Sequence, residues 1–210
     1  LQLVPDHTWL DRLQVGVTQM IDDLIKSTRS FRRFDESVTV DRKTLEDLVD
    51  LARHSASAMN QQPLKYILSH TRDTNVKVFS TLTFAKSLKD WDGPAEGERP
   101  SAYIIVLSDT EISTNIWCDH GIASQSIMLG VRDRGLGGCM IGSINHQKLR
   151  ELLSIPDQYE ILLVLAIGKP AETVVIEPMP SDGNVNYWRD DQSVHHVPKR
   201  SLEEIILDLG

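Results

Sequence analysis

Apolar residues recur at helical spacing between Trp9 and Lys26, where Leu10, Leu13, Val17, Met20, Ile21 and Leu24 predict a helix. The same period returns after Asp41, a good N-cap, and puts Leu45, Leu48, Val49 and Ala52 on one face of a second helix. Tyr66-Ile-Leu-Ser69, following Pro63, reads as a strand. Tyr103-Ile-Ile-Val-Leu107 is a stronger one, since β-branched content without polar alternation predicts burial on both faces. A long helix is predicted over 114–134, ended by Gly135. Its centre sets Gly121, Ala123, Ser124 and Ser126 among Ile122, Ile127 and Met128, which suits a central or interface helix that another backbone approaches closely. Gly138 to Ile141 forms a short strand, Gln147 to Leu153 a short helix, and Glu160 to Ile167 the clearest buried strand. The stretch 170–198, with Pro170, Pro178, Pro180 and Pro198, reads as an extended arm before a last helix at Leu202 to Leu207. That order lacks the strict βαβα alternation of a doubly wound sheet, so the expected class is mixed α+β. One domain over 1–210 is expected, with 1–26 as an N-terminal helical segment, because no repeat, low-complexity tract or linker divides the chain.

Composition narrows the setting. The longest apolar run, Ile161 to Ile167, is seven residues, far short of the roughly 20 that span a bilayer. No signal peptide is visible in the first ten residues, which contain Asp6 and His7. Two cysteines, Cys118 and Cys139, make no disulfide framework. A cytoplasmic, reduced protein with no membrane contact is expected. The formal net charge of −8 argues against a general nucleic-acid binder, so each basic cluster needs a local explanation.

Four constellations stand out. Thr28-Arg29-Ser30-Phe31-Arg32-Arg33-Phe34 packs three guanidinium groups and two hydroxyls into an acidic protein. Arginine presents planar, permanently charged donors that match phosphate oxygens, and the alternating rings would anchor inward. A solvated basic turn paired with Asp22, Asp23 and Asp35 fits the same residues. Ser55-Ala-Ser-Ala-Met-Asn-Gln-Gln-Pro63 is an amide-rich loop, fitted to read the edge of a heteroaromatic ring or simply to connect helix and strand. Gly135-Leu-Gly-Gly-Cys-Met-Ile-Gly142 imitates a dinucleotide fingerprint, but Met140 fills its sixth position. It also runs from helix to strand, the reverse of the order that fingerprint requires. What survives is backbone that a flat ligand can approach, or a glycine C-cap. Lys199 and Arg200 follow His195 and His196, whose side chains would point to opposite sides of an extended chain. Neither that pair nor Cys118-Asp119-His120 has metal-ligand spacing, so no metal is assigned. Cationic clusters, amide loop and glycine turn together suit a ligand with an anionic end and a polar planar ring, as in FMN.

With those residues in hand, the sequence resembles the nitroreductase family of FMN-dependent oxidoreductases, from about Ile25 to Ile206. The carriers are Arg29 to Phe34, Ser57 to Pro63, Gly135 to Gly138 and Pro198-Lys199-Arg200. Trp91-Asp-Gly-Pro-Ala-Glu-Gly-Glu-Arg-Pro100 and Tyr187-Trp-Arg-Asp190 with His195-His196 resemble a bacterial subgroup of unsettled substrate. The resemblance implies a central, mostly antiparallel sheet flanked by helices, an intertwined homodimer and one FMN in each of two interfacial sites. It implies that Arg29, Ser30 and Arg32 hold the phosphate and ribityl chain, joined by Lys199 or Arg200. Ser57, Met59, Asn60 and Gln62 would face the isoalloxazine from the partner subunit, with backbone around Gly137, Gly138, Ile141 and Gly142 beside the ring. One departure is Thr28, where many members carry a basic residue, so no phosphate contact is assigned there. The implied chemistry is ping-pong hydride transfer. NAD(P)H reduces FMN at N5 and leaves, and a small electron-poor acceptor, nitroaromatic or quinone-like, takes the electrons. No catalytic side chain is assigned. A flavin-storage or sensor protein, and an FMN enzyme of other chemistry such as reductive dehalogenation, are the alternatives. The Trp91 segment is read as a lid or as an ordinary solvent loop.

Overall fold

The computed structural model describes residues 20–85, 88 and 91–208. Residues 20–27 are helical (α1); the rest of the helix expected from Trp9 lies outside the described residues. The core is one antiparallel sheet. β5 (Tyr159–Pro170) pairs with β3 (Ala102–Asp109), with β4 (Gly137–Ile141) and with the short β1 (Phe34–Asp35), and β2 (Leu64–Ser69) pairs with β3. Every residue of β3 is buried, as its unbroken apolar run predicts.

Both faces are covered, and the two-residue period of a strand divides them. Ala102, Ile104, Val106, Leu165 and Ile167 face α2 (Arg42–Arg53) and α4 (Asp119–Asp133), meeting Leu45, Leu48, Ala123, Ile127 and Val131. Tyr103, Ile105, Leu107, Val164 and Ala166 face Val78 of α3 (Arg72–Phe79) and Leu149 of α5 (His146–Leu153). The α+β expectation therefore holds. Asp41 caps α2 as anticipated, its carboxylate accepting from the Thr44 N–H at 2.7 Å. The helix α3 has no counterpart in the sequence reading, because only Val78 of its eight residues is buried and the helical period is too thin to register. The start of α4 falls at Asp119 and not near Thr114. Trp117 takes a left-handed φ of 45°, and its N–H is drawn to the Asn115 side chain at 3.1 Å, which delays the first turn.

After β5 the proline-rich stretch is extended, yet it pairs with itself. β6 (Val174–Pro178) runs parallel to β8 (His195–Lys199), and β7 (Trp188–Arg189) lies antiparallel to β8. A short helix, α6 (Leu202–Ile205), follows.

One close approach governs where the basic segment lies. A Cβ on Gly138 would sit 2.5 Å from the Ala166 carbonyl oxygen and 2.7 Å from Met128 Cε. The bare backbone there accepts the Phe31 N–H at 3.0 Å, which seats the segment 29–33 on β4. Gly138→Ala should therefore cost about 1–3 kcal/mol of stability by overpacking, read as a lower urea midpoint with an unchanged m-value.

Candidate functional site

Phe31 and Phe34 are buried, so the alternation expected of the basic segment is realised: rings go inward and charges outward. Arg33 is consumed by a two-pronged ion pair with Glu98, at 2.8 and 2.9 Å. Arg29 and Arg32 are directed elsewhere. With Thr28, Ser30, Tyr187 and Lys199 they line a cavity of about 200 Å³ that contains no carboxylate. The Arg29 Nε is buried without a hydrogen-bond partner, and burial pulls the pKa of this guanidinium below its ordinary value. Arg200, by contrast, pairs with Glu204 of α6 and does not line the cavity. Of the two C-terminal cations, Lys199 is the one brought to Arg29 and Arg32.

A second cavity of about 210 Å³ shares Arg32 and Tyr187 with the first. Its walls are the end of β4 and the following turn, through Ile141, Gly142 and Ser143, and the segment Thr83 to Ala85. The Thr83 N–H donates to the Ser143 carbonyl at 2.9 Å, tying the two walls together. Sequence reasoning missed Thr83 to Ala85, which carry no composition signal; the pairing with Ser143 brings them to the cavity. Gly137 and Gly138 do not line either cavity. The first lies under Pro170 and Phe31 and the second under Ala166, so both serve packing that positions the arginines.

The amide loop sits apart. Ser57 and Gln62 line a different cavity of about 280 Å³, beside Tyr66, Asp119 and Ala123. Asp119, buried at the start of α4, organises the loop: it accepts from Ser57 Oγ at 2.5 Å and from the Ala58 N–H at 3.0 Å, while Ser57 Oγ accepts from the Gln62 N–H at 2.9 Å. Met59, Asn60 and Gln62 all have left-handed φ, at 51°, 56° and 52°. Such backbone persists only when its surroundings over-determine it. Burial, with the Asp119 charge next, pushes the Tyr66 hydroxyl up to about 12. A larger cavity, about 420 Å³, shares no residue with any of these and mixes Glu36 and Glu96 with His70, Arg72 and Arg99. For an anionic ligand the smaller acid-free cavity is the better match, because uncompensated cations attract it and carboxylates would repel it.

Residues 187–196 brace the cation cavity. Arg189 forms a buried ion pair with Glu172 at 2.9 Å and lies over the Trp91 ring at 4.2 Å. Trp91 in turn meets the Phe84 ring edge-on at 6.5 Å. The Trp91 residue is thus packed next to a wall of the second cavity. His196 stacks on Trp188 and is flanked by Glu177 at 2.8 Å and Asp190 at 3.2 Å. Hydrogen bonding to Glu177 and then Asp190 raises the His196 pKa. A raised folded pKa stabilises fully below the unfolded value, about 6.5, and that contribution is lost as pH rises through the folded pKa. Thermal melts between pH 5.5 and 8.5 should therefore show a downward step that His196→Gln removes.

The family model described as the nitroreductase family matches residues 25–169. A protein of Archaeoglobus fulgidus, named for NADH dehydrogenase and NAD(P)H nitroreductase, is 27% identical over 157 residues, covering 71% of this chain and 84% of that protein. The structure of a nitroreductase-like protein from Streptococcus mutans aligns with a TM-score of 0.67 at 14% identity, over 92% of this chain and 100% of that one. An NADPH:FMN oxidoreductase from Vibrio harveyi, solved with NAD+, aligns with a TM-score of 0.59 at 18% identity, over 76% of this chain and 73% of that one. At such identities the structural likeness establishes the fold.

Proposed function

The chain belongs to the nitroreductase family, and from that membership we propose that it is an FMN-dependent oxidoreductase using NAD(P)H to reduce nitroaromatic or quinone-like acceptors in a ping-pong sequence. The observation that carries this reading is the convergence of Arg29, Arg32 and Lys199 on an acid-free cavity. A phosphate monoester brings about 1.5–2 negative charges near neutral pH, and three cations with the Ser30 hydroxyl suit it. The partnerless, buried Arg29 Nε is a donor in want of an acceptor. The adjoining cavity, walled by residues 141–143 and 83–85, is the place for the ring. FMN, when bound, supplies the two-electron redox chemistry. The chain's own part is to grip, orient and polarise. Arg32 borders both cavities, so its positive charge favours negative charge developing at either end.

We further infer a homodimer in the cytoplasm, in which the loop carrying Ser57, Met59, Asn60 and Gln62 completes the site of a second copy. In its own subunit that loop lines neither cation cavity. It also stands among exposed apolar side chains: Met59 is 76% exposed, Trp117 59% and Ile122 43%. Sedimentation should show a dimer, and a flavin-loaded monomer would contradict it. Anaerobic stopped-flow mixing with NADH and with NADPH tests the activity. The bound flavin should bleach with at least one of them and recover its colour on adding a nitroaromatic or quinone. A yellow protein that neither nicotinamide bleaches would be a flavin carrier instead.

A further inference from the structure

The Arg32 guanidinium is held in an unusual way. Among the described residues no carboxylate forms an ion pair with it. Its Nη1 donates to the Ser30 carbonyl at 3.3 Å and meets His195 Nε2 at 3.2 Å, and its plane lies over the Tyr187 ring at 4.7 Å. His195 is wholly buried, 5.1 Å from the same Tyr187 ring. On the other side of the segment, Glu172 has a side chain only 1% exposed. One of its oxygens accepts the backbone N–H groups of Arg32 and Arg33, and the other takes the Arg189 ion pair.

The geometry points to His195 as a positioning residue that fixes Arg32 toward an incoming phosphate while leaving its charge unspent, with Glu172 fixing the backbone beneath it. This rests on the reading that Arg32 receives the FMN phosphate. Three physical facts support it. First, an arginine has only donors, so His195 Nε2 must be the acceptor and Nδ1 must carry the proton. Second, that Nδ1 is buried with no hydrogen-bond partner. An orphaned buried N–H is costly and calls for an explanation; here it is the tautomer that keeps Nε2 free to accept. Third, the imidazole stays neutral, because burial and then the Arg32 charge lower its pKa to about 4. A carboxylate in the same place would hold Arg32 equally well but cancel the charge that the ligand needs. Glu172 is no substitute, since its charge is matched to Arg189.

The test compares the full chain, freed of flavin, with two variants by fluorescence titration against FMN and against riboflavin, which lacks the phosphate. His195→Phe keeps a ring and removes the acceptor; His195→Gln retains an acceptor at the reach of Nε2. The FMN-over-riboflavin preference should fall about tenfold or more in His195→Phe and stay within about threefold of wild type in His195→Gln. A general packing defect would weaken both ligands alike and leave the preference unmoved, which would overturn the assignment. Equal losses in the two variants would also overturn it, since the acceptor would then be irrelevant. A wild-type chain that binds riboflavin as tightly as FMN would instead show that Arg32 does not receive the phosphate, and the parent reading would fall first. Should His195→Phe not fold, His195→Met fills the site with an adaptable apolar chain and gives the same comparison.

Discussion

Arg32→Ala should weaken FMN binding by about tenfold to a hundredfold, because a charge-assisted hydrogen bond is worth about 1.5–3 kcal/mol and each 1.4 kcal/mol is tenfold. The structure supplies its own control one residue away. Arg33 is the same residue type in the same segment, but its guanidinium is committed to Glu98. Arg33→Ala should leave the FMN dissociation constant within about threefold of wild type, since its guanidinium is turned to Glu98 and lines neither cavity. Flavin retained after purification and a fluorescence titration both report the contrast. Equal affinity in Arg32→Ala and wild type would remove Arg32 from the site, and an equal loss in the two variants would reduce the effect to net charge.

The second large effect is expected at Asp119→Ala. The carboxylate is buried and holds Ser57 Oγ and the Ala58 N–H; Ser57 Oγ in turn holds the Gln62 N–H. Removing it leaves these donors without an acceptor, a loss of about 3–5 kcal/mol for two charge-assisted bonds. The left-handed Met59, Asn60 and Gln62 would then lose the contacts that keep them in place. Urea unfolding should show the lower stability, and if the loop completes a shared site, flavin content and dimer affinity should fall together. Asp119→Asn, which keeps an acceptor oxygen, should recover much of the stability. A fully stable Asp119→Ala protein would mean that the loop is held by something other than this carboxylate.

How much of this was legible beforehand depended on whether the signal was local. The strand Tyr103 to Leu107 and the helix after Asp41 announced themselves, because uniform apolarity and a capped amphipathic period are written in consecutive residues. The basic segment was legible as a chemical composition, and the alternation of Phe31 and Phe34 with the arginines correctly placed its rings inward. Its partners were not legible. Which of Lys199 and Arg200 joins Arg29 depends on the register of β8 against β6 and on the capture of Arg200 by Glu204, both set by tertiary pairing. In the sequence Asp119 stands only in the triplet Cys118-Asp119-His120; its role needs α4 and the amide loop to meet in space. The glycines at 137 and 138 read as places of close approach, and the groups that come close there are Pro170, Phe31 and Ala166. Thr83 to Ala85 carry no such signal, since their place in the wall depends on the pairing of this segment with Ser143, far along the chain.

β5 bonds to β1, β3 and β4, and it is the last of these to be synthesised. During translation the earlier strands therefore leave the ribosome before the element that joins them into a sheet, and β3 in particular emerges apolar on both faces. Contacts of such long sequence separation close slowly, and exposed strands of this kind are prone to associate with one another. A nascent chain halted before Tyr159 should consequently be a chaperone client and a substrate for proteases, and it should acquire resistance only when the stretch through Pro170 has been released.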